Sequence, residues 1–113
     1  MIKMDKLGEK IDKKEVAAFI QQQMVELAPH LDEKSALQIK LTQVRNGFEA
    51  ELTATQLEGE IQTIGWNEDL FDAIKNAKEG LLQYFVDAED FMNPQLRDEK
   101  IKYLSQHGNL YLH

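Results

Sequence analysis

The side chains able to do chemistry in this chain are three histidines, twenty carboxylates and thirteen basic residues, with no cysteine. His30, His107 and His113 are far apart, and no His-x-x-x-His or carboxylate–histidine spacing forms a metal-ligand set. The glycines at 8, 47, 59, 65, 80 and 108 stand singly, so no glycine-rich loop cradles a phosphate. The acidic pairs Asp32-Glu33, Glu68-Asp69 and Asp98-Glu99 fall at predicted element starts, where capping accounts for them. The expectation is a non-catalytic protein with no metal and no cofactor.

The lysines are grouped. Lys3, Lys6, Lys10, Lys13 and Lys14 share the first fourteen residues with only Asp5, Glu9 and Asp12. The whole chain has a formal charge of −7, so the remainder carries a net of −9. A surface this acidic repels the phosphate backbone, and the N-terminal lysines are the one local patch able to contact it. The same run also reads as a solvated charged segment.

The elements that position these groups come from a 113-residue chain, the size of one domain. An apolar fraction of 42% with nine aromatics suffices for a core. The N-terminus lacks an apolar stretch resembling a signal peptide, and no run approaches the ~20 residues that span a bilayer. A cytoplasmic protein without a membrane partner is expected.

Ile2 and Met4 alternate with Lys3 and Asp5, which suits a short edge strand before Gly8. Val16, Phe19, Ile20, Met24 and Leu27 then lie on one helical stripe, capped by Asp12 and ended near Ala28 by Pro29. Leu37, Ile39 and Leu41 alternate with polar residues, as do Phe48, Ala50, Leu52 and Ala54 after Asn46-Gly47. That dipeptide favours a tight hairpin because both residues accept positive φ. A turn at Glu58-Gly59 leads to a third meander strand, Glu60 to Trp66. A second helix follows directly, capped by Asn67 and carrying Leu70, Ile74, Leu81 and Phe85 on its stripe. Asn93-Pro94 predicts the start of a short third helix ending near Gly108.

With Leu37, Ile39, Leu41, Phe48, Ala50, Leu52 and Ile61 facing the helices, the other sheet face is mostly polar. Val44, Ile64 and Trp66 break that pattern. They form either a partner or dimer surface, or a seat for the C-terminal segment around Leu110 to Leu112.

The segment Gly59-Glu60-Ile61-Gln62-Thr63-Ile64-Gly65-Trp66-Asn67-Glu68-Asp69-Leu70-Phe71-Asp72-Ala73-Ile74 resembles the last strand and second helix of the ribosome hibernation-promoting factor family, which includes the ribosome-associated translation inhibitors. The hairpin Leu37 to Ala54 resembles the preceding strands, and residues 1–88 can be placed on the family pattern. The resemblance implies an α+β fold of order β-α-β-β-β-α, with two helices on one face of a four-stranded sheet. The domain would cover residues 1–90, with 91–113 a short helical extension packed on or beside it. It further implies a cytoplasmic factor that binds the small ribosomal subunit and silences translation under stress, through basic residues on the helices and adjoining strands. Carried onto this chain, the RNA-binding set is Lys3, Lys6, Lys10, Lys13, Lys14, Lys75 and Lys78. The chain departs from the family in its acidic second helix, with Asp72, Glu79 and Asp87. The alternative is a protein-interaction or homodimerisation module on the open sheet face, at Val44, Ile64 and Trp66, that kept the fold and lost RNA binding.

Overall fold

The structure is a computed structural model that describes residues 2–57 and 59–92, with side chains to residue 89. The predicted third helix and the segment Leu110 to Leu112 lie outside the described residues. The order is β1 (Ile2–Lys6), α1 (Lys13–Met24), a 3-10 turn (Ala28–His30), β2 (Ala36–Val44), β3 (Gly47–Gln56), β4 (Gly59–Asn67) and α2 (Leu70–Met92). This is the expected α+β arrangement. One compact unit runs to Leu82 and a second begins at Gln83.

The sheet order is β1-β2-β3-β4, with β1 parallel to β2 and the other pairs antiparallel. The alternation read from the meander is the alternation of the sheet. Ile39, Leu41, Ala50, Leu52 and Ala54 are buried on one face, while Gln38, Lys40, Gln62, Ile64 and Trp66 are exposed on the other. Both helices cover the buried face. Phe19 of α1 meets Phe71 of α2 edge to face, with centroids 4.7 Å apart, and Ile20 and Ile74 are fully buried beneath them.

Each connection has a local cause. Asp12 caps α1, its Oδ1 accepting from the amides of Lys14 and Glu15 at 3.0 and 3.3 Å. The α-helix stops at Met24, short of the predicted end. Pro29 stands inside the 3-10 turn that follows, because a proline fits the first turn of a new helix better than the last turn of an old one. Asp32 closes the loop before β2 by accepting from the Lys34 amide and the Ser35 hydroxyl, both at 2.9 Å.

Two expectations about turns are corrected. The first hairpin pairs Val44 with Gly47, so its loop is Arg45-Asn46, and neither Asn46 nor Gly47 has positive φ. Gly47 is needed for space instead: a Cβ there would lie 2.5 Å from the Asn67 carbonyl oxygen, where β4 turns into α2. Left-handed backbone occurs at Gly59, with φ of 135°, in the second hairpin. The cap of α2 also moves. Asn67 is the last residue of β4 and only holds the amide of Asp69, at 2.9 Å. Asp69 caps the helix: its Oδ1 accepts from the Asp72 amide at 3.1 Å and its carbonyl from Ala73 at 3.0 Å.

The fit of α2 on β4 depends on Gly65. A Cβ at that position would collide with the carbonyl oxygen of Ala73 and the amide of Ala77. Helix and strand backbones therefore touch directly, and Thr63 Oγ1 ties them by donating to the Ala77 carbonyl at 2.8 Å.

Candidate functional site

The open face of the sheet can be read row by row from the strand register. One row is Lys3, Lys40, Glu51 and Ile64; the next is Lys6, Thr42, Glu49 and Trp66. A third is Gln38, Thr53 and Gln62. The face is thus graded across its width, cationic at β1 and β2, anionic on β3 and apolar on β4. Gln62 Nε2 donates to Glu51 Oε1, which orients that carboxylate toward β4.

Ile64 and Trp66 are 58% and 51% exposed, so the strand leaves two large apolar side chains adjacent on one face. Val44 sits apart from them. It is half-buried at the C-terminal end of β2, and β3 runs between it and Trp66.

The seven lysines do not fall on one surface. Lys3 and Lys6 are exposed on β1, and Lys10, Lys13 and Lys14 are exposed at the entry to α1. Lys75 is exposed on α2, one turn from Asp72 on one side and Glu79 on the other, a setting of net negative charge. Lys78 is held inside. It is 5% exposed, and its Nζ donates to Glu26 Oε2 at 2.7 Å. Sequence spacing does not anticipate Lys40. The parallel pairing of β1 with β2 sets it beside Lys3, making an adjacent pair of cations, and only the strand order reveals that neighbour.

Among the described residues, no group of three or more His, Asp or Glu side chains is disposed to hold a metal ion. No described helix is long and apolar enough to cross a membrane.

A solved structure with this geometry is the N-terminal domain of Protein Y from Thermus thermophilus. The two superpose with a TM-score of 0.59 over 74% of this chain and 89% of that one, at 18% sequence identity. The likeness is one of fold. No protein-family model matches the chain, and no curated protein matches it either. What the two share is therefore the scaffold, and side chains must be argued from this chain's own surface.

Proposed function

We propose that this protein is a non-catalytic, ribosome-associated factor of the hibernation-promoting type, which modulates translation by occupying the small subunit. The observation that carries the reading is the fold shared with the N-terminal domain of Thermus thermophilus Protein Y, set beside the resemblance of this sequence to the hibernation-promoting factor family. The strand–helix segment from Gly59 to Ile74, which resembles that family, agrees with it.

In this reading the RNA contact is made by the N-terminal cations. Lys3 and Lys6 on β1, with Lys10, Lys13 and Lys14 before and in the first turn of α1, are exposed and close in sequence. Lys40 joins Lys3 in register. Lys75 contributes from α2, whereas Lys78 serves chiefly to hold α1 and α2 together through Glu26. Few cations imply few phosphate contacts, hence modest affinity with a shallow salt dependence. Co-sedimentation with ribosomes at two ionic strengths tests the proposal; protein left in the supernatant at both would refute it.

A second reading is favoured by the exposure of Ile64 and Trp66. It makes the β4 side of the open face a protein-interaction or homodimer surface. Light scattering compares the wild type with Trp66→Ala. The reading predicts that an assembly or added partner seen with the former is lost with the latter.

A further inference from the structure

The two edges of the sheet are built differently. β1 carries Lys3, Asp5 and Lys6 within five residues, and its register with β2 shifts between Lys3 and Lys6. Charges and an irregular register are the devices that keep an edge strand from recruiting another chain. β4 has neither. Its nine residues, Gly59–Asn67, pair with β3 without interruption, contain no proline, and include one charged side chain, Glu60.

The direction of its main chain can be read from one bond. The Trp66 carbonyl accepts from Asn76 Nδ2 at 3.2 Å, so it is turned away from β3. In an antiparallel ladder the N–H and C=O of one residue point the same way and alternate along the strand. Glu60, Gln62 and Ile64 therefore present their main-chain groups to the outer edge, beyond which no strand lies among the described residues. The same residues, with Trp66, put their side chains on the open face, in rows that continue into Glu51 and Glu49.

We infer that the β4 edge from Glu60 to Trp66 is a docking site for an extended peptide segment of alternating basic and apolar residues, added as a fifth strand. This rests on the second reading above and names its partner. Main-chain pairing would supply affinity, and the side-chain rows supply the selection. An added strand lies next to Ile64 and Trp66, and a Lys or Arg on it crosses over those side chains to Glu51 and Glu49. Over Trp66 the cation also meets the face of the indole. Charge argues against a second copy of this chain as occupant. Two β4 edges brought together would bring their Glu60 side chains, and the carboxylates of β3 behind them, onto one face of a chain that already carries −7.

The test uses the full chain and two blocked octapeptides, one alternating Lys and Val, the other Glu and Val. Trp66 is the protein's single tryptophan, so its fluorescence reports the site directly. The lysine peptide is expected to shift that emission saturably, with amide NMR changes concentrated from Glu60 to Trp66. The glutamate peptide should do neither. Gln62→Pro removes an outward N–H that β3 does not use, and should weaken binding at least about tenfold. The double change Glu49→Lys, Glu51→Lys leaves the main chain intact and should reverse the preference between the peptides.

Equal binding of both peptides overturns the inference. So does lysine-peptide binding that Gln62→Pro leaves unchanged, since that is charge attraction without strand pairing. Peptide-free NMR changes at Ile64 and Trp66 that grow with protein concentration would overturn it in favour of a second copy, and leave the second reading standing. No response to either peptide, with no change in light scattering for Trp66→Ala, overturns both.

Discussion

The ammonium of Lys78 lies 2.7 Å from Oε2 of Glu26, linking the middle of α2 to the turn that ends α1. The two ends of this pair are unequally exposed, 6% for the lysine side chain and 53% for the glutamate. Removing the glutamate strands a buried charge, while removing the lysine returns a carboxylate to water. Glu26→Gln should therefore cost about 2–3 kcal/mol, and Lys78→Met less than about 1 kcal/mol. Urea unfolding midpoints at constant slope measure both. The reverse order would show that the lysine's hydrocarbon stem, and not its charge pairing, is what matters there.

Gly65 and Gly80 offer a matched pair of tests. Gly65→Ala drives a methyl into the backbone of Ala73 and Ala77, and should destabilise by about 3 kcal/mol or displace α2. Gly80→Ala meets only Thr63 Cβ and Cγ2 at 3.6 Å, an ordinary contact. Inside a helix it should stabilise by about 0.5–1 kcal/mol. Thermal midpoints moving in opposite directions would bear out direct strand-to-helix contact at Gly65.

The cap of α2 predicts a ranking. Asp69→Ala loses the acceptor for the Asp72 amide and should cost about 1 kcal/mol. Asn67→Ala removes only the bond to the Asp69 amide in the turn before the helix and should cost less. Equal losses in chemical denaturation would place the helix start two residues earlier than described.

The misplacement of this cap shows where local patterns run out. Asn67, Glu68 and Asp69 are all good capping types, and only the length of β4 decides among them. Asp12 had no such competitor, and its predicted role is the observed one. The alternation of Leu37 to Leu41 and Phe48 to Ala54 was legible because a half-buried strand imposes period two on its own residues. Asn46-Gly47 marked the hairpin correctly but for the wrong reason, since the demand on Gly47 comes from Asn67, twenty positions away. The gradation of the open face was hidden for the same cause. Lys3 meets Lys40, and Trp66 meets Glu49, only once the strand order is known. Spacing sets Lys78 on the apolar stripe of α2, but its ion pair was equally illegible, because its partner Glu26 lies in the turn that follows α1.

The proposed RNA contact separates two groups of lysines. Lys3→Glu with Lys40→Glu should abolish ribosome binding or weaken it at least about tenfold while leaving the fold intact, since both side chains are exposed. Lys78→Met should leave binding unchanged. Circular dichroism and pelleting on the same samples distinguish loss of contact from loss of structure.

Co-sedimentation with purified ribosomes and isolated small subunits, at low and at moderate ionic strength, tests the ribosomal proposal most directly. The prediction is that the protein pellets with the small subunit at low salt, is partly released at moderate salt, and is lost from the pellet when Lys3 and Lys40 are reversed in charge. Protein that remains in the supernatant at both ionic strengths would contradict it.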